Sequence, residues 1–327
     1  LFVSAALLLA ACVQPASPAD AAEDCALKQV AAIPAHLASN GTLVMDAVIN
    51  DTPATLTLST ASDYSYLSED FAKRAGMPID TLRGEFRSTG RRLLGQVTRI
   101  KSLQLGTARS SYEGFALTAG GPDGTDGSAV GGVGADYLSN YDVEIDLAGG
   151  KVNLWSQDHC PGQAVYWADT YFKVPVTFRE VTKSRFRRKR PEIDIVADGK
   201  TLHAMIATDD ANMVLREALA ETRFGLAPDS PEMVKDGVWR DSDGKAFDRY
   251  AHTLGSLTFG DVTIHNTPVM IEPIDIAANE ASTGSHLNVM NTEQPDFYLG
   301  MKPPQKFRLY IAYREAALYY TIAAPKP

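Results

Sequence analysis

Apolar residues recur at every second position through much of the chain, the period of strands that bury one face. Residues 42–53 (TLVMDAVINDTP) alternate as two short strands about a polar Asn50-Asp51 turn, and residues 193–201 (IDIVADGKT) do the same about Asp198-Gly199. The two copies run in step. At one constant offset Val48 matches Val196, Leu58 matches Ile206, Thr60 matches Thr208 and Leu67 matches Leu215. Residues 68–76 and 216–225 follow, each read as a short helix stopped by glycine, with Ser68 placed to cap the first. Residues 100–106 then match 254–260 as strand pairs. Each copy closes with a glycine-led segment, Val133-Gly134-Ala135-Asp136-Tyr137-Leu138 in the first and Tyr298-Leu299-Gly300-Met301 in the second. Alternating strands over 141–146 and 151–155 match 307–311 and 317–321. The pattern predicts a mainly β chain of two similar lobes, each with a short helix or two.

This order of strand, turn, strand, tight loop, helix and late apolar-apolar-Gly-x-Asp-x-Leu segment resembles the retropepsin-like aspartic peptidases. It is most similar to bacterial, membrane-anchored proteins that carry two such units in one chain. Cys25-Ala26-Leu27 leading to Ile33-Pro34, and the segment after Cys160 ending in Tyr166-Trp167, also resemble that group. The likeness covers residues 25–322. It implies two acid-protease β-barrel lobes with short helices, related by pseudo-two-fold symmetry. The first lobe is expected over 25–160, an inter-lobe segment over 161–191 and the second lobe over 192–327. A cleft between the lobes would accept an extended peptide by strand pairing.

The chemistry of such peptidases needs two carboxylates sharing one proton and one water, because like charges about 3 Å apart cannot both ionise. The family loops read Asp-Thr-Gly. Here they read Ser59-Thr60-Ala61 and Ala207-Thr208-Asp209, so the former dyad positions are Ser59 and Ala207. A serine hydroxyl and a methyl group cannot supply that acid–base pair. Both glycines are lost as well, which bears on the close backbone approach expected at this loop. Both threonines persist, and the resemblance implies that Thr60 and Thr208 hydrogen-bond across the lobe interface. Asp209 and Asp210 are possible substitute acids, and Asp63 lies four residues after Ser59. A shifted carboxylate must still reach within about 3 Å of the reacting atoms. No His lies at a matched position of either copy, and no Gly-x-Ser-x-Gly elbow occurs for a serine nucleophile.

The leading expectation is a catalytically degenerate, peptidase-like protein that binds a peptide, protein or envelope ligand in its cleft. The alternative is an aspartic endopeptidase using Asp209 and Asp210, and a third reading is a purely structural lipoprotein. No cofactor is called for. Six scattered histidines (His36, His159, His203, His252, His265, His286) show no metal-ligand spacing.

Composition and termini add a location. Over 327 residues, 45% hydrophobic and 22% charged content is that of a globular chain long enough for two cores. A net charge of -9 argues against a nucleic-acid binder. Residues 1–11 are almost wholly apolar, too few to span a bilayer, which takes about 20, and end in a Leu9-Ala10-Ala11-Cys12 lipoprotein box. The chain starts without Met or a basic n-region, so the signal peptide is read as partial. Cys12 is then the lipidation site, residues 12–24 a tether, and Val13 after it favours the periplasmic face of the outer membrane. Cys25 and Cys160 form an even pair in an exported chain, a disulfide candidate with two free thiols as the alternative. Arg185, Arg187, Arg188, Lys189 and Arg190 belong to a basic run, read either as a solvated loop or as a contact for anionic lipid or polymer. The glycine-rich stretch 120–134 lacks the lysine of a phosphate loop, and Tyr166, Trp167, Tyr171 and Phe172 read as inter-lobe packing.

Overall fold

The computed structural model describes residues 25–81, 93–111, 113–121, 128–178, 189–240, 245–277, 294–302 and 304–322. The expected signal segment 1–11, Cys12, and Arg185, Arg187 and Arg188 lie outside them. The chain is mainly β, with two lobes built alike, as the repeat predicts.

In the first lobe Leu43–Ile49 and Thr52–Leu58 form the expected hairpin. Asn50 and Asp51 turn it with φ of 48° and 64°, and Asp198 and Gly199 turn the second hairpin with 45° and 77°. Positive φ at both central residues matches the right-handed twist of the flanking strands, and Asn, Asp and Gly tolerate it best. The chain then inserts a late strand beside the early one. Gly131–Val133 runs parallel to Thr52–Leu58 and antiparallel to Tyr66–Ser68. Phe297–Leu299 repeats this beside Lys200–Ile206 and Val214–Arg216. Gly134 and Gly300 end these strands where no side chain fits. A Cβ would lie 2.5 Å from the Tyr64 carbonyl oxygen at the first and 1.9 Å from the Asn212 carbonyl oxygen at the second. The helices fall where expected, at Glu69–Arg74 and Glu217–Phe224. Ser68 Oγ accepts from the Phe71 amide, and Gly225 ends the second helix with φ 70°.

A central sheet joins the halves. Its order is Phe172–Pro175, Ala317–Ile322, Phe307–Ala312, Asp142–Asp146, Lys151–Trp155 and Gln29–Leu37. The order is palindromic, with equivalent strands of the two copies paired at the middle, where Glu144 opposes Tyr310. The inter-lobe segment 161–191 is more than a connector. It supplies Phe172–Pro175 to this sheet and Thr177–Phe178 to the second lobe. Its aromatics divide: Phe172 stacks on Tyr320 and Phe178 on Tyr313 against the main core, whereas Trp167 joins a separate cluster. Trp167 packs over Trp155, Tyr310 and Tyr319, whereas Tyr166 and Tyr171 are 50% and 42% exposed.

Buried charge on this sheet is satisfied, which burial demands. The fully buried Glu144 accepts from Asn153 Nδ2 at 3.0 Å, Trp155 Nε1 at 2.8 Å and Arg308 Nε at 2.7 Å. Asp142 accepts from the Tyr313 amide at 2.8 Å and lies 2.7 Å from His159 Nε2. His159 Nδ1 lies 3.0 Å from the Cys160 carbonyl. Both ring nitrogens face acceptors, so the imidazolium is the form that satisfies both. Burial works against that charge, but the Asp142 hydrogen bond, the Cys160 carbonyl and the charges of Asp142 and Glu315 outweigh it and raise the His159 pKa. Cys160 is joined to Cys25 in a disulfide with the Cα atoms 4.7 Å apart, which removes the free-thiol alternative. Closing 135 residues contributes about 4–5 kcal/mol by the chain-entropy account.

A raised histidine pKa means that the folded state holds the proton more tightly than the unfolded state. Its contribution is complete below the ordinary 6.5 and is lost as pH rises through the folded value. Melting temperature followed against pH is expected to fall for the wild type above 6.5 by more than for His159→Gln. Parallel curves would contradict the assignment.

Candidate functional site

The two Thr-bearing loops meet at the pseudo-two-fold, and their hydrogen bonds repeat position by position. The Ser59 amide donates to the Val133 carbonyl at 2.9 Å, and the Ala207 amide to the Leu299 carbonyl at 3.0 Å. Ser62 N donates back to Ser59 O, and Asp210 N to Ala207 O, both at 3.2 Å. Between the lobes the threonines exchange contacts. Thr60 Oγ1 donates to the Ile206 carbonyl at 2.6 Å and accepts the Thr208 amide at 3.2 Å. Thr208 Oγ1 donates to the Leu58 carbonyl and accepts the Thr60 amide at 3.1 Å. Both threonines are fully buried. Four backbone groups of two lobes are thus satisfied by two hydroxyls, as the resemblance implies.

At the positions that the resemblance assigns to the dyad, Ser59 is fully buried and Ala207 is 2% exposed. Ser59 Oγ donates to Asp209 Oδ2 across the lobes at 2.9 Å. Behind it Thr57 Oγ1 lies 3.3 Å from Ser59 Oγ and 2.8 Å from the Tyr66 hydroxyl. A chain of hydroxyls therefore runs from Tyr66 through Thr57 and Ser59 to the Asp209 carboxylate. Asp209, one of the two possible substitute acids, thus makes its contact across the interface. Neither Ala61 nor Asp209 falls among the positive-φ residues, so the lost glycines leave no left-handed backbone to accommodate.

The other acids are placed differently. Asp210 Oδ1 accepts the Asn212 amide at 2.8 Å, a local turn contact. Asp63 meets Arg190 across the lobes, with Nε 3.3 Å from Oδ1. Arg190 is therefore corrected from the surface run to a buried residue: Pro191 starts a strand, and the preceding side chain turns inward to Asp63. Lys189 lies with its Nζ 5.7 Å over the Phe178 ring. Asp136, of the closing segment, accepts from the amide and hydroxyl of Ser65 at 2.8 and 2.7 Å, and burial raises its pKa.

Two groups had no signal in the sequence. Arg216, 1% exposed, pairs with Asp275 at 2.7 Å. Glu272, 8% exposed, ends the strand Val262–Glu272 beside it. Burial, and then the Asp210 charge, push the Glu272 carboxyl up to about 8 against the pull of Arg249. Among the described residues no group of three His, Cys, Asp or Glu is arranged to hold a metal ion.

No protein-family model matches the chain. No curated protein sequence matches it either. Among solved structures it is similar to the crystal structure of basic 7S globulin from soybean, with a TM-score of 0.48 and 10% identity over 91% of this chain and 97% of that one. Likeness of that degree assigns neither an activity nor a ligand.

Removing one hydroxyl of the exchange strands a buried amide and a buried carbonyl. Thr60→Val is expected to lower unfolding free energy by about 1–3 kcal/mol in denaturant titration, with Thr60→Ser close to wild type. Equal stability of all three would contradict the role given to the exchange.

Proposed function

We propose that the protein is a catalytically degenerate, aspartic-peptidase-like protein that binds an extended peptide segment between its lobes without hydrolysing it. The observation that carries this reading is the contrast at one place. The cross-lobe threonine exchange and its matched loop hydrogen bonds are intact, while the positions that supply acid and base hold Ser59 and Ala207. Hydrolysis by this fold needs a second carboxylate to share the proton, and a methyl group stands in that place. Ser59 gives its hydrogen to Asp209, which leaves a hydroxyl–carboxylate pair suited to holding a polar group rather than activating water.

The competing reading, a peptidase using Asp209 and Asp210, has one specific support, the approach of Asp209 to Ser59. Against it, Asp210 caps the local turn at Asn212. Placement in the bacterial envelope on a lipid at Cys12 completes the proposal and rests on the sequence of residues 1–24. A tethered binder there would meet extended segments of envelope proteins by proximity. The net charge of -9 supports ligands other than nucleic acid.

Panning a displayed random dodecapeptide library on the whole chain tests the reading. Enriched peptides should bind the wild type and lose at least about tenfold in affinity on Ala61→Trp, which places a bulky side chain at the loop, since one blocked contact set exceeds about 1.4 kcal/mol. Peptides that bind the variant equally would place binding elsewhere.

A further inference from the structure

A cavity of about 530 Å³ lies at one end of the central sheet, within the roughly 300–1,000 Å³ of small-molecule sites. Asp146, Arg308 and Thr321 line it from three neighbouring strands. Arg308 faces Thr321 in the strand register and comes within 3.6 Å of Asp146. Trp167, Phe172 and the 66% exposed Ile322 supply its apolar lining. Each of the three strands is paired on both sides, so the row offers no open backbone edge for a peptide to join. Recognition here falls to side chains.

Those side chains are fixed and incompletely used. Arg308 Nε donates to Glu144 Oε1 at 2.7 Å and Nη2 to the Tyr166 hydroxyl at 2.9 Å. Its guanidinium carbon lies 4.5 Å from the centre of the Trp167 ring. Arg308 Nη1 has no hydrogen-bond partner among the described residues. Asp146 Oδ1 accepts the Gly149 amide at 2.8 Å, whereas Oδ2 stands 3.6 Å from Arg308 Nη2, beyond hydrogen-bond reach. Thr321 Oγ1 accepts from Trp167 Nε1 at 2.9 Å, which leaves its own hydrogen to donate. Donors and an acceptor therefore stand side by side in a prearranged row, which lowers the ordering cost of binding.

The charges offset one another. Glu144 and Asp146 are matched by Arg308 and by Lys151, which lies opposite Asp146 in register. An anion would compete with Glu144 for the arginine, and a cation would compete with the arginine for Asp146. A neutral guest meets neither cost. Beside the row, the indole of Trp167 offers apolar surface, and the neighbouring Tyr166 and Tyr171 are exposed. A sugar ring combines what these features require: hydroxyls that both give and accept, and a face of C–H groups.

We propose that this cavity is a carbohydrate subsite for a neutral sugar. One ring hydroxyl donates to Asp146 Oδ2, its neighbour accepts from Arg308 Nη1, and the C–H face lies toward Trp167. The subsite shares no residue with the loops at Ser59 and Ala207, so it stands apart from the peptide reading of the cleft.

The experiment uses the whole chain and a neutral panel of maltotriose, cellotriose, mannotriose and chitotriose. Triglucosamine and trigalacturonate serve as charged counterparts, and binding is read by tryptophan emission and saturation-transfer NMR. At least one neutral trisaccharide is expected to saturate with a Kd of about 1 mM or tighter, and the charged ones to bind at least about tenfold more weakly. Asp146→Asn, which keeps an oxygen for the Gly149 amide, should weaken the tightest binder about tenfold, the size of one hydrogen bond to a charged group. Thr170→Trp, at an exposed lining position, should do the same by filling the cavity, with melting temperature as in the wild type. No saturable binding of a neutral trisaccharide, tighter binding of a charged one, or unchanged binding in both variants overturns the subsite. A random octapeptide pool that binds the wild type and is lost from Thr170→Trp, with no sugar bound, overturns it in favour of a peptide site.

Discussion

The exchange of hydrogen bonds between Thr60 and Thr208 is the constraint on which the rest of this structure depends. Each lobe brings a tight loop to the pseudo-two-fold axis with a buried amide and a buried carbonyl that its own lobe does not satisfy. Buried backbone groups left alone cost more than a hydrogen bond returns, so the loops are held face to face. That arrangement fixes Ser59 against Asp209, and it aligns the matched strands whose ends feed the loops. The central sheet acts with it from behind. Pairing of Glu144 with Tyr310, together with the satisfied carboxylates of Glu144 and Asp142, closes the same axis at its other end.

Scaffold and chemistry are separable in this fold because different atoms carry them. The scaffold uses the hydroxyls of Thr60 and Thr208, backbone groups and the close-packed Gly134 and Gly300. Acid–base chemistry needs carboxylates at Ser59 and Ala207, and neither position offers one. The space is filled conservatively: a serine hydroxyl takes Thr57 and Asp209 as partners, and a methyl group needs none. The result is a pair of lobes held in register with a polar, hydrogen-bonded floor, and the proposal is that such a floor grips a peptide without cutting it.

Much of this was legible in the sequence because the elements are local and repeated. Alternation gave the hairpins, Asn50-Asp51 and Asp198-Gly199 gave their turns, and Thr60 and Thr208 stood out at equivalent places. The disulfide followed from an even pair of cysteines. Contacts made by the fold were not legible. Ser59 and Asp209 belong to different copies and meet only after the lobes associate. Arg190 read as one more cation in a basic run, and its burial depends on Asp63, which lies in the other lobe. Glu272 ends a strand like many exposed acids, and only the fold removes it from water. His159 looked like one of six scattered histidines until the central sheet placed Asp142 against it.

The central claim is that the retained scaffold binds without hydrolysis, and the direct measurement is oxygen-18 incorporation into peptides incubated with the whole protein across acidic to neutral pH. The account predicts no labelled carboxyl at any new terminus, from the wild type or from Asp209→Asn. Labelled products from the wild type that disappear in Asp209→Asn would contradict it and make Asp209 a working acid.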